Sequence, residues 1–174
     1  MTTQSMIEGV VPAFPVRSEV GVYVEGMLTG GVGAAAIALW FLALDTIQGR
    51  PLYTPTVLGS VIFRGPQALA GGAAIAPSFE TVVSFTWIHA LVFLLIGTGA
   101  AKLVAAAERN PNLGFGVIIL FVVFQFGFLA LSMILADEVL HALAWPAVMG
   151  GNLVAAAAMA VVLWRRHPRL VIEP

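Results

Sequence analysis

Cysteine is absent from this chain, and charge is scarce. Without cysteine there is no disulfide, no thiolate nucleophile, no iron–sulfur ligation and no covalent c-type haem attachment. Charged residues make up 10% of the 174 positions, whereas an ordinary soluble domain carries about 25%. That supply is too small to coat a water-facing surface. A formal net charge of −1 provides no basic stripe and argues against nucleic acid as a partner. The glycines precede no Gly-Lys-Ser/Thr phosphate loop, and no serine or threonine stands in a nucleophile motif with a general base. A cleavable signal peptide is not expected either. Glu8, Pro12, Pro15, Arg17 and Glu19 interrupt the opening residues, where a signal would need basic residues followed by one compact apolar stretch. The first apolar run is expected to act as an uncleaved insertion signal. No lipidation motif is present.

What the chain has in quantity is apolar sequence: 60% hydrophobic residues and a mean hydropathy of +0.98. Four runs stand out, Met27 to Leu44, Thr81 to Ala101, Leu113 to Ala136 and Pro146 to Trp164. Each holds about 18 residues or more, and at about 1.5 Å rise per residue a helix of that length crosses a hydrocarbon core of about 30 Å. The expected fold is an all-α integral membrane bundle of four transmembrane helices. It forms a single membrane domain over 1–174, with spans at about 26–45, 79–107, 113–136 and 146–164 and an outer loop at 46–78.

The connections carry readable punctuation. Gly49-Arg50-Pro51 breaks the first span, and Thr54-Pro55 predicts a helix start with Thr54 as N-cap. The following Thr56 to Phe63 is too short to span and predicts a short helix at the membrane surface or tucked against the bundle, ended by Gly65-Pro66. Glu80 falls in the first turn of the second span, where its charge suits the helix dipole. Asn110-Pro111-Asn112 predicts a tight turn, so the second and third spans are antiparallel neighbours. Asp137 to Trp145 predicts an interfacial turn, with Pro146 opening the last span. With four spans, Arg17, Lys102, Arg109, Arg165, Arg166 and Arg169 share one side, against Arg50 and Arg64 on the other. Basic residues are retained on the cytoplasmic side, so both termini are expected there, in a bacterial inner membrane.

Candidate functional residues are few. Gly26 and Gly30 have the spacing that lets two helix backbones approach closely, either within the chain or between copies. His89, Gln125 and Asn152 are polar positions inside the spans, and such groups are expensive to bury. His89 could hold a tetrapyrrole through a ring nitrogen. The competing reading is a histidine donating to a backbone carbonyl, Gln125 or Asn152. Glu138-Val-Leu-His141 has the Glu-x-x-His spacing that puts two metal ligands on one helical face. A di-iron bundle would need a second such pair, and the alternative is a solvated turn. No cofactor is required by the sequence. A transport path would want several intramembrane carboxylates or paired broken helices, and neither pattern is evident.

The run Asp45-Thr-Ile-Gln-Gly-Arg-Pro-Leu-Tyr-Thr-Pro-Thr-Val-Leu-Gly, together with Gly-Asn152-Leu and the ending Leu-Trp164-Arg-Arg-His-Pro, resembles uncharacterised small bacterial four-span integral membrane proteins. The resemblance implies a bacterial source and the same topology, and it implies no activity. The expected function is a non-catalytic accessory or structural subunit of a larger membrane complex, for instance an energy-transducing one, with the lipid bilayer and larger subunits as partners. The alternative is a cofactor- or metal-binding membrane protein in redox chemistry or transport, resting on His89 or on Glu138 and His141.

Overall fold

The computed structural model describes residues 18–69, 76–110, 113–135 and 144–168, and among these it contains helices and no strand. The elements are α1 (Glu19–Ile47), α2 (Tyr53–Arg64), a short 3-10 turn (Pro66–Ala68), α3 (Phe79–Ala107), α4 (Gly114–Leu135) and α5 (Trp145–Arg166). Three of them, α1, α3 and α5, are long and apolar enough to cross a membrane.

Helix ends follow local chemistry. Ser18 and Ser78 cap α1 and α3 with their side-chain oxygens, and each is followed by an acid in the first turn, Glu19 and Glu80. Hydroxyl caps satisfy orphan amides, and the carboxylates complement the positive end of the helix dipole. The Ser18 cap starts α1 at Glu19 rather than near residue 26, so Glu25 lies inside the helix instead of before it. At α5 the pattern reverses. Pro146 stands in the first turn, where its missing N–H costs nothing, and Arg165 and Arg166 occupy the last turn.

Small residues set the packing. A methyl group built on Gly97 of α3 would overlap the backbone of Gly26 and Gly30 in α1, and one on Gly30 would overlap Phe93 O. The α1–α3 seam therefore runs at backbone-to-backbone contact, which only glycine permits. The α1–α5 seam is looser. Gly33 faces the Met159 thioether, and Trp40 lies over Gly150 and Gly151, donating its indole N–H to Ala147 O at 2.9 Å. Between these seams, Ile37, Phe93, Ala101, Val104, Ala155 and Met159 form the buried core, which Leu120 of α4 borders.

The short α2 packs on the opposite end of the bundle from Ser18. Its Val57 is buried with Val148 of α5, and a Cβ on Gly59 would lie 2.7 Å from the Thr81 methyl of α3. The expected Thr54 cap is replaced by a different one. The helix begins at Tyr53 after Leu52, which adopts left-handed φ of 67°. The buried Asp45 carboxylate accepts from both the Thr54 N–H (2.7 Å) and the Thr54 hydroxyl (2.9 Å). A side chain from the end of α1 thus supplies what a local cap would have supplied, and its negative charge suits the α2 N-terminus. Asp45→Ala is expected to cost about 1–2 kcal/mol and to speed amide hydrogen exchange across Tyr53–Arg64 while α3 is unchanged. Equal protection of α2 in the variant would show the carboxylate to be idle.

Candidate functional site

The most unusual chemistry of the described residues lies where three helices end together. His167 is the C-cap of α5, and its backbone N–H closes the helix onto Leu163 O at 2.9 Å. That closure turns the ring inward between α1 and the end of α3. Its Nε2 lies 2.7 Å from Glu25 Oε1 and its Nδ1 lies 2.6 Å from Glu108 Oε1. The imidazole thus bridges two carboxylates, one on each nitrogen, at lengths typical of charge-assisted bonds. Each bond needs one proton. Either a ring N–H donates to the carboxylate, or a protonated carboxyl donates to a bare ring nitrogen.

Burial is unequal along this bridge. The side chains of His167 and Glu25 are almost wholly enclosed, at 1% and 4% exposed, while that of Glu108 is 32% exposed. Beside the bridge, Ser18, Gly21, Glu25 and Arg166 line an open depression of about 280 Å³. Lys102 of α3 donates to the Tyr23 hydroxyl of α1 at 2.8 Å, so the same end of the bundle carries Lys102, Arg109, Arg165 and Arg166. Four residues on from Glu25, Thr29 is wholly buried, and its hydroxyl has no hydrogen-bond partner among the described residues.

The residues singled out from sequence fall elsewhere. Gly26 and Gly30 line the intrachain seam with α3. His89 is half-buried on α3, its ring 5.7 Å from Phe85 and 4.7 Å from Phe93, with Nε2 3.3 Å from Ala34 O. In that arrangement Nε2–H donates to the carbonyl, and Nδ1 is the nitrogen remaining for any ligand. Asn152 is buried on α5, and Gln125 falls within α4. Asp137, Glu138 and His141 lie outside the described residues. Among the described residues no group of three His, Asp or Glu side chains is placed to hold one metal ion. In the His167 bridge the carboxylates occupy opposite nitrogens and do not converge on a point.

Sequence reasoning missed this bridge because Glu25 read as a border residue, Glu108 as part of a loop and His167 as part of a basic tail. One signal was available. In an up-and-down arrangement of four spans, the start of the first span, the end of the second and the end of the last all lie on one side. Three titratable residues at those positions could have been suspected of meeting.

Compared with family models, curated proteins and solved structures, the chain matches none of them. Fold and site together define an all-helical membrane protein whose α1, α3 and α5 are tied at one end by a buried acid–histidine–acid bridge.

Proposed function

We propose that the protein is a non-catalytic accessory subunit of a larger bacterial inner-membrane complex, for instance an energy-transducing one. In this reading α4 also spans, as the third of four, α2 lies at the outer interface and both termini are cytoplasmic. Support for the orientation is the placement of six of the eight basic residues on the side of the termini.

The observation that carries the reading is α4. Phe115, Val123 and Phe126 are 64%, 59% and 51% exposed, and Ile118, Ile119, Phe121 and Val122 are exposed as well. At 3.6 residues per turn these positions cover somewhat more than half of the helix's circumference. Its own chain meets it chiefly through Gly116, beside Leu103, and through Leu120. A helix apolar on every side is completed by lipid or by another protein, and phenylalanine-rich flanks suit packing against further helices.

The test is photo-crosslinking from Val122 and Phe126, followed by purification from native membranes in mild detergent. The expected result is a discrete crosslink from both positions to the same larger membrane subunit, with colourless, metal-free protein. Purification as a lone chain without crosslinks would overturn it. So would a Soret band lost on His89→Ala, or stoichiometric metal lost on Glu138→Ala or His141→Ala, which would favour the cofactor- or metal-binding alternative.

A further inference from the structure

We propose that Glu108, His167 and Glu25 form a proton relay that loads a carboxylate inside the bundle from its aqueous edge. The inference is independent of whether a partner subunit exists, because every group belongs to this chain. Three observations carry it. The imidazole is bonded at both nitrogens, 2.6 Å to Glu108 and 2.7 Å to Glu25, the connection a ring needs to accept a proton at one atom and release another elsewhere. Exposure falls from 32% at Glu108 to 1% at His167 and 4% at Glu25, so Glu108 is the carboxylate that meets water most freely, while Glu25 only borders the depression lined by Arg166. Beyond Glu25, the buried Thr29 hydroxyl has no hydrogen-bond partner among the described residues. In this it differs from Thr46, Thr56, Thr86 and Thr98, each of which donates to the carbonyl four residues back.

The transfer balances without moving heavy atoms. At the start Glu108 is protonated and donates to Nδ1, while Nε2–H donates to the Glu25 carboxylate. The Glu108 proton passes to Nδ1, giving an imidazolium between two carboxylates. The Nε2 proton then passes to Glu25. The end state has Nδ1–H donating to the Glu108 carboxylate and the Glu25 carboxyl donating to Nε2. Two protons and a net charge of −1 over the three groups are kept throughout, and both short bonds persist in every state. The ring returns to its starting tautomer when its neutral form flips or when protons run back outward.

The surrounding positive groups offset the net charge of −1 on the three residues and hold the carboxyls toward their ionised forms. Arg166 of α5 lines the depression beside Glu25, Arg109 follows Glu108, and Lys102 of α3 is held by Tyr23 of α1. The α4 stretch Gly114–Leu135 contains no Asp, Glu, Lys, Arg or His. Inward, the polar strip stops at Gly33, where a Cβ would lie 2.6 Å from Met159 Sδ. A thioether passes no proton, so along this face of α1 the described polar groups of the relay end at Thr29, and the site is read as one that loads a proton rather than one that conducts it across.

The experiment uses the full chain in lipid nanodiscs and infrared difference spectroscopy of protonated carboxyl groups after a pH jump and after transfer to D2O. A carboxyl band lost in Glu25→Gln is expected, with rapid shift in D2O. His167→Gln and Glu108→Gln should slow that shift by about a hundredfold or more, the scale on which a positioned proton-transfer group acts. Mere loosening of the fold would do the reverse, since opening the bundle exposes Glu25 and speeds exchange. Absence of any Glu25-dependent band would overturn the proposal, as would exchange that is unchanged or faster in both variants. Should His167→Gln not assemble, Glu108→Gln decides alone, its residue being the partly exposed one.

Discussion

Gly97→Leu is expected to unseat α1 from α3 and to lower the thermal midpoint of the purified protein by about 6–12 °C. The reason is what a side chain there would strike. A Cβ on Gly97 would overlap Gly26 O and Gly30 N, which are backbone atoms of a helix and cannot swing aside. Overpacking costs about 1–3 kcal/mol where neighbours can relax. Here the upper end applies, and a chain of this length shifts by about 2–4 °C per kcal/mol. Gly33→Ala probes the contrasting case, since its methyl would meet the flexible end of Met159, and a smaller loss is expected. Gly31→Leu and Gly99→Leu are the controls. Both positions are exposed, and a Cβ at either meets nothing within 4 Å. Differential scanning fluorimetry of the four variants in one detergent would check the ranking. A Gly99→Leu loss as large as that of Gly97→Leu would show that glycine content, rather than this crossing, sets the stability.

The same seam shows what could be read before any coordinates. Hydrophobic run length and serine or proline at run ends are local signals, and they correspond to α1, α3 and α5, with the Ser78 cap of α3 and Pro146 in the first turn of α5. Glycine spacing on one helix was legible in the same way at Gly26 and Gly30. What it touches was not, because Gly97 lies on a different helix and carries no i, i+4 glycine of its own. The apolar run begins after Glu25, whereas α1 starts at Glu19 and carries that carboxylate inside it. The structure offsets that charge with a histidine 142 positions away, a distance across which periodicity carries no information. The α2 cap failed for a related reason. An N-cap Thr54 would accept a hydrogen bond from its own helix, whereas Thr54 donates two to Asp45, nine positions earlier. Local chemistry was readable, and through-space partnerships between helix ends were not.

His167→Leu is the second large expected effect, and its logic concerns the group left behind rather than the one removed. Leucine fills much of the ring's volume, so little packing is lost. Glu25 remains enclosed, however, without the ring nitrogen that lies 2.7 Å from its Oε1. Removing one partner of a buried ionic pair costs about 3–5 kcal/mol, far more than the intact pair contributes. Glu108→Ala should be much milder. Its carboxylate is 32% exposed, and water already shares the work of stabilising it. The decisive measurement is the double variant Glu25→Leu/His167→Leu. Once both polar members are replaced by apolar groups, no buried charge is stranded, and the thermal midpoint should recover most of the way to that of the unaltered protein. If the two losses simply add, the bridge is two independent contacts. If the double variant is more stable than His167→Leu alone, Glu25 and His167 are energetically one unit. The retention of such a unit where two leucines would serve the fold then points away from stability and toward the proton it holds.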